Sequence, residues 1–366
     1  MTKIESLRHT CSRLPFLLLL AIGVLGIGAC SSDDGVGPDP EEEAFDLRPI
    51  LQNEADNVIL ATYADLDLAS EGLLDAVVAL RDATTEANLE AARSAWRATR
   101  VPWESSESFL FGPVDTQGLD PALDSWPVNE VDLAAVLEGD QELTQGFVAG
   151  LEGTLKGFHT IEFLLWGVDG SKAPGDFTDR EFEYLIAATQ ALEADATALN
   201  TAWDPGGDNF AAELSSAGDG STIWQSEKAG VQELVNGMIV IADEVANGKI
   251  NDPLAQQSVF PVESRFSGNS LTDFRNNIES IRNIYTGDYG GSEGMGVDEL
   301  IRDLDGDLGQ RFVDQVDAAI SAIQAVPEPF RDAIFDHTAE AEAAQEAVRE
   351  ILQILEEEIA PAVSEL

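Results

Sequence analysis

Residues of the usual reactive kinds are scarce in this chain. Among 366 residues there are two cysteines, three histidines and five lysines. Both cysteines, Cys11 and Cys30, fall within the first thirty positions, so no disulfide is expected and the body must be stable from its core alone. Basic residues are few as well: 20 Lys+Arg stand against 68 Asp+Glu, a formal net charge of −48. Such a chain is a poor partner for nucleic acid or anionic lipid surfaces and a good one for cations. Most of that charge is accounted for as a solubilising acidic coat, as in salty surroundings where screening relieves self-repulsion, so the bulk charge alone assigns no function. Alternating β-branched patterns are rare, which argues against sheet. Neither H-E-x-x-H nor its inverse H-x-x-E-H occurs, which removes the two commonest helix-borne zinc peptidase motifs.

The N-terminus has Lys3, Arg8 and Arg13, then an apolar run from Phe16, then Ile27-Gly28-Ala29-Cys30. A basic start, a short apolar core and small residues before a cut site describe a secretory signal peptide, too short to make a good spanning helix. Ile-Gly-Ala-Cys resembles the lipobox of bacterial lipoproteins, which implies cleavage before Cys30 and lipidation of that residue. Residues 1–29 hold three basic residues and one acidic, so their removal leaves 17 Lys+Arg against 67 Asp+Glu and a net charge of −50. Residues 30–44 are small and acidic and read as a disordered tether. Ser31 carries no evident inner-membrane retention signal, so the expected location is the outer membrane, lipid-anchored, on the periplasmic or surface face.

Beyond the tether, alanine, leucine and glutamate dominate, punctuated by glycine and proline, and the fold is read as all-α. Apolar periodicity places helices over about 45–80, 86–108, 130–138, 142–166, 178–203, 222–247, 270–286, 297–325 and 328–364. Asp204–Gly207 and Gly287–Gly296 read as loops. More than 300 mature residues exceed one comfortable core, so two helical-bundle domains are expected, 45–172 and 173–366. A shift of 120 residues aligns Leu151, Ile161, Gly167 and Gly170 with Leu271, Ile281, Gly287 and Gly290, a layout compatible with an ancient duplication. His159 then falls opposite Glu279 and Glu162 opposite Arg282, so the chemistry of this stretch is not duplicated.

That chemistry lies in Gly157-Phe158-His159-Thr160-Ile161-Glu162-Phe163-Leu164-Leu165-Trp166. His159 and Glu162, three apart, share one face of a helix that is apolar nearly all round, and a buried ionisable pair requires partners or a metal. Helix 86–108 has a second anomaly: Leu89, Trp96, Trp103 and Leu110 recur every seven residues, with Arg93, Arg100 and Glu107 between them. Arg93 reads equally well as a snorkelling side chain packed on tryptophan. Arg100 and Glu107, beside the kink expected at Pro102, read as part of a buried polar site.

Trp96, Arg100, Glu107-Ser108-Phe109-Leu110-Phe111-Gly112-Pro113, Asp124-Ser125-Trp126-Pro127 and Gly-x-His-x-x-Glu at 157–162 resemble, in this order, the imelysin family of exported bacterial proteins. Glu263-Ser264-Arg265-Phe266-Ser267, Leu271-Thr272-Asp273-Phe274, Asn277 and Ile281–Gly287 resemble that family's downstream signature. The resemblance runs from about residue 45 to the end. It implies two bundle-like helical halves with the His-x-x-Glu motif near their junction, a family named for a peptidase, and a tie to iron acquisition.

The residues themselves permit a His/Glu/Glu metal site of His159, Glu162 and Glu107 for Fe, Mn or Zn, since helix bundles build such sites from inward carboxylates and histidines. Arg100, Trp126, Glu263, Ser264 and Arg265 are candidate ligand contacts, and Ser267, Asp273 and Asn277 can face the same junction. Three functions remain open at this point. The leading one is a binding protein for a metal ion or small ligand, working with iron- or metal-uptake partners. The second is a metallopeptidase, whose catalytic set looks incomplete because a third ligand is remote and no separate base is evident. The third is a non-catalytic scaffold binding a partner or a haem-like ligand, for which His159 and His337 are the only axial histidines. A satisfied buried pair that only fixes helix register also fits the motif.

Overall fold

The computed structural model describes residues 45–366; the expected signal peptide, Cys30 and the acidic tether lie outside them. Its regular elements are helical, and the one extended pairing among the described residues is an isolated bridge between Tyr289 and Ser292. Eight helices carry most of the packing: α1 (Leu60–Asp82), α2 (Glu86–Glu104), α3 (Gly157–Trp166), α4 (Asp179–Trp203), α5 (Glu227–Asp243), α6 (Ser270–Thr286), α7 (Gly306–Ala325) and α8 (Thr338–Ile354). In α1 the buried positions Tyr63, Leu66, Ser70, Leu73, Val77 and Leu80 recur at three or four residues, which puts one continuous stripe against its neighbours. α2 starts where Thr85 accepts a hydrogen bond from the Asn88 amide.

α1 packs on both α2 and α4, α2 packs on α3 and α6, and α6 packs on α5 and α7, which in turn lies on α8. Phe45–Leu366 is accordingly one compact unit. The position 172/173 is therefore a division in sequence that the packing of α1 on α4 and of α2 on α6 runs across. No described helix is long and apolar enough to cross a membrane.

Several expected helices are interrupted, each for a local reason. The expected 86–108 helix stops at Glu104 and is followed by a 3-10 turn, Glu107–Phe109. Pro102 lies in its last turn, where its missing N–H favours termination, so the chain ends the helix there and does not kink through it. The expected 142–166 helix is three pieces, Gln145–Ala149, the 3-10 turn Gly153–Leu155, and α3. Gly157 begins α3 with φ +70°, and a Cβ there would lie 2.2 Å from the Leu123 carbonyl oxygen. Apolar spacing alone reads through such a break. Asp305 splits 297–325 by turning out of the helix and accepting the Asp307 and Leu308 amides on its carboxylate, both at 3.0 Å. Helices 130–138 and 270–286 match their expected bounds. Of the helix-ending glycines matched by the internal repeat, Gly287 is a left-handed cap, while Gly167 shares its positive φ with an extended ψ.

Two consequences are testable. Gly157→Ala forces a side chain into the Leu123 carbonyl and an L-residue into positive φ, so it should lower unfolding free energy by roughly 2 kcal/mol or more; urea denaturation measures it, and a loss within about 0.5 kcal/mol would contradict this geometry. Glu54 is buried with neither carboxylate oxygen hydrogen-bonded to a described residue, and burial, then Asp298, Asp288 and Glu299, hold its pKa well above the usual range. Above pH about 4.5 the unfolded chain has released this proton while the folded chain keeps it, so stability is lost as pH rises. Glu54→Gln should therefore melt higher than wild type at pH 8, with the gap closing at pH 5; a pH-independent gap would refute the burial of a neutral acid.

Candidate functional site

The site is built around one buried guanidinium. Arg100 points from the last turns of α2 into a space without solvent, where it pairs with Glu104 and Asp124, with Glu263 at 2.8 Å and with Asp273 at 3.4 Å. These carboxylates come from α2 itself, from the turn after Leu123, from the loop before α6 and from α6. Burial alone would weaken the charge on Arg100, but Asp124, Asp273, Glu104 and Glu263 together hold it firmly protonated. The apolar walls come from α2 and α3: Trp96 meets Phe158 at 6.4 Å and Trp166 at 5.2 Å, and its indole N–H donates to the Phe158 carbonyl at 3.0 Å. The Trp103 indole donates to Asp124 Oδ2 at 2.6 Å and fixes that carboxylate. Arg93 proves to be structural, donating to the carbonyls of Leu165 and Lys172 and capping the end of α3.

His159 stands at the centre between two carboxylates. Its Nδ1 is 3.0 Å from Glu162 Oε2, and its Nε2 is 3.1 Å from Asp124 Oδ1 and 3.8 Å from Glu263 Oε1. The Nε2 contact is close enough for charge attraction but is not aligned as a hydrogen bond. Burial would lower the imidazole pKa; Asp124, with help from Glu162, outweighs burial and pushes it up to about 10. Asp124 is held well below the usual carboxylate range despite its burial, by Arg100 and His159. Glu162 is fully engaged: its Oε1 accepts the Phe266 and Ser267 amides at 3.0 and 2.7 Å and the Ser267 hydroxyl at 2.7 Å. It thus ties α3 to the loop before α6 and orients the imidazole.

Lys249 is the third cation. It projects from the π-helical turn Glu244–Ile250, with its Nζ 3.2 Å from Glu263 Oε2, 3.5 Å from Glu104, 3.8 Å from Glu244 and 4.0 Å from Glu107. Six buried carboxylates, Glu104, Glu107, Asp124, Glu162, Glu263 and Asp273, so face three cationic groups, Arg100, His159 and Lys249. The surplus negative charge appears in the proton affinities. Burial lifts Glu263 to about 8 and Asp273 to about 6, against the pull of Lys249 and Arg100 respectively, and it lifts Glu107 well above its ordinary value. A cavity of about 230 Å³ lined by Glu107, Asp120, Asp124, Ser125, Trp126 and Glu244 forms the mouth of this cluster.

Two donor groups suit a metal. Asp124, His159 and Glu263 each offer one ligand atom within 4.8 Å of the others, and so do Glu104, Glu107 and Asp124. The sequence-derived trio of His159, Glu162 and Glu107 is thus distributed: Glu162 lies behind the imidazole, and Glu107 lies with the second group at the mouth. Trp126 forms part of the mouth wall, its ring 6.2 Å from that of His159 and its N–H on the Pro261 carbonyl. Ser264 donates to Asp273 at 2.5 Å, Asn277 donates to Glu104, and Ser267 meets Glu162. Arg265 turns away to pair with Glu130, and His337 is a surface residue 3.6 Å from Glu340.

The sequence model of the imelysin family matches residues 59–357. The chain belongs to the imelysin family. It is 30% identical over 355 residues to iron-regulated protein A of Synechococcus elongatus, covering 95% of this chain and 96% of that relative. A crystal structure from Parabacteroides distasonis, assigned as an iron-regulated protein A precursor, superposes with a TM-score of 0.79 at 28% identity, covering 87% of this chain and 94% of that one. An imelysin-like protein from Psychrobacter arcticum shares the fold, with a TM-score of 0.71 at 15% identity over 87% of this chain and 95% of that one. The all-α fold and the link to iron-regulated relatives expected from the motifs are thereby established.

Sequence reasoning missed Glu104, Asp124 and Lys249 as site members. Glu104 follows Arg100 by four, the ordinary spacing of a helical ion pair. Asp124 lies in the Asp124-Ser125-Trp126-Pro127 motif, whose spacing alone assigns it no role. Lys249 continues the apolar spacing of Ala242, Val245 and Ala246, where a lysine in a lysine-poor chain is out of place.

Arg100→Met leaves four carboxylates around an uncharged side chain, so unfolding free energy should drop by about 3–5 kcal/mol at pH 7. Arg100→Lys should recover only part of this, because a point charge cannot span the same acceptors. Denaturant titration decides it, and a loss below about 1 kcal/mol for Arg100→Met would refute the central role of the guanidinium.

Proposed function

We propose that the imelysin-like chain is an exported lipoprotein that binds a divalent metal ion, iron foremost, through Asp124, His159 and Glu263, as a component of iron or metal acquisition. The observation that carries this reading is geometric: Asp124, His159 and Glu263 each present one ligand atom within 4.8 Å of the others, inside a buried cluster of six carboxylates and three cationic groups. Replacing protons by a metal ion is the ordinary exchange at such a site. Glu162 holds His159 Nδ1, leaving Nε2 as the ligating nitrogen, the arrangement by which a carboxylate orients a metal-bound histidine. One imidazole with carboxylate oxygens suits Fe, Mn or Zn. In this reading Glu162 positions His159 and Glu107 guards the mouth, so neither ligates the ion directly.

Relatives named for iron regulation support the biological role, and the lipobox-like Ile27–Cys30 supports a membrane-tethered location, with uptake proteins of the same membrane as partners. The mouth, at about 230 Å³, is below the ~300–1,000 Å³ usual for small-molecule sites. It suits an ion better than a peptide, which ranks the metallopeptidase reading second.

Calorimetric titration of metal-stripped protein with Fe(II), Mn(II) and Zn(II) tests the proposal. One site is expected per chain. His159→Ala with Asp124→Asn should abolish saturable binding, and Glu162→Gln should weaken it by about 10–100-fold. Unchanged affinity in the double variant would sink the assignment. Chelator-sensitive cleavage of a peptide library, lost in Glu107→Gln, would favour the peptidase instead.

A further inference from the structure

Arg100 and Lys249, the arginine and the lysine of the buried cluster, are held in different ways. Arg100 is clamped by directed contacts on several sides. Lys249 has three N–H donors yet makes one directed hydrogen bond, to Glu263 Oε1 at 3.3 Å. Its other carboxylate neighbours, Glu263 Oε2, Glu104, Glu244 and Glu107, surround it at 3.2 to 4.0 Å as charge pairs. The ammonium is thus caged by charge with little directional fixing. It also sits on a route outward. Glu107 and Glu244, two of its cage, line the mouth, and the ring of Trp126, a third lining residue, is 5.5 Å from Nζ. The residue is carried on a π-helical turn, a geometry that recurs where a helix has been adjusted for function.

We propose that Lys249 is a tethered competitor for the metal: its ammonium fills the carboxylate cage in the ion-free protein and swings toward Glu107 and Glu244 when a divalent cation takes Glu263. This inference rests on the metal-binding reading and deepens it. Glu263 is the shared group, lying 3.8 Å from His159 Nε2 on one side and 3.2 Å from Lys249 Nζ on the other. A divalent ion beside Glu263 would repel an ammonium held at that distance, and the low-dielectric surroundings strengthen the repulsion. Aromatic and carboxylate surfaces along the mouth receive the displaced charge. The lysine therefore keeps the empty site folded and sets an upper limit on affinity, which allows the ion to be released again.

Mn(II) binding to wild type, Lys249→Met and Lys249→Arg tests this, together with lysine acetylation read by mass spectrometry. Lys249→Met should bind Mn(II) at least about tenfold tighter than wild type, melt lower without metal, and regain its melting temperature when Mn(II) is added. Lys249→Arg, which keeps the charge, should bind no tighter than wild type. In wild type, acetylation of Lys249 should be slow without metal and fast at saturating Mn(II), with half-buried Lys228 unaffected as an internal control; this arm needs no variant to fold. Equal or weaker affinity in Lys249→Met, or a Lys249 acetylation rate indifferent to Mn(II), overturns the competitor role. Loss of Mn(II) binding in every form, wild type included, would instead bring down the metal-binding reading and this inference with it.

Discussion

Everything near the centre of this molecule depends on the desolvated charge of Arg100. A guanidinium removed from water is strongly unfavourable unless its N–H groups find acceptors. Here the acceptors are Glu104, Asp124, Glu263 and Asp273, drawn from α2, the turn after Leu123, the loop before α6 and α6 itself. No single segment can satisfy it, so α2 and α6 must dock for the charge to be buried at all. The position 172/173 in the sequence is crossed by this charge network as well as by apolar packing.

Around that centre, each functional group is held by a second one. Trp103 holds Asp124, Glu162 holds His159, and the amides of Phe266 and Ser267 hold Glu162. Gly157 makes the chain of support possible, because only a residue without Cβ lets α3 start so close to the Leu123 carbonyl that His159 comes within reach of Asp124. The glycine and histidine of the Gly-x-His-x-x-Glu motif thus have a common purpose: the first brings the backbones together, and the second uses the proximity. Its glutamate reaches the other way, to the loop before α6, and makes the histidine's orientation a property of the whole assembly.

Much of this was legible in the sequence, and the limits are physical. The helical class, the bounds of 130–138 and 270–286 and the anomaly of buried charge at Arg100, His159 and Glu162 follow from periodicity and from the energetics of desolvation. Helix interruptions at Gly157 and Asp305 are hidden from periodicity because both lie inside stretches whose apolar spacing continues; a left-handed φ and a side-chain cap are local events that spacing does not report. The expected trio of His159, Glu162 and Glu107 is spread across the cluster for a related reason. Residue type groups Glu107 and Glu162 with His159, whereas in space Glu162 Oε1 is committed to the Phe266 and Ser267 loop and Glu107 lies with Glu104 and Asp124. Asp124 and Lys249 come from a turn and a π-helical segment, where position in space bears no simple relation to position in the chain.

A metal site of the proposed kind would face a conflict between staying folded and staying ready. Six carboxylates without cations would repel one another in a low-dielectric interior and open the core. Cations of the protein's own remove that repulsion, but each one also competes for the oxygens that a metal would need. The structure distributes the task unequally. Arg100 is fixed by contacts to carboxylates from several segments; the ring of His159 is fixed at Nδ1 by Glu162, which leaves Nε2 without a hydrogen bond; Lys249 is held by one directed hydrogen bond. Glu107, Asp120 and Glu244 give the mouth an acidic lining. Under the proposed metal reading, the acidic surface would contribute general attraction, and selectivity would have to arise inside, from one oriented imidazole and from the number of protein charges displaced before an ion enters.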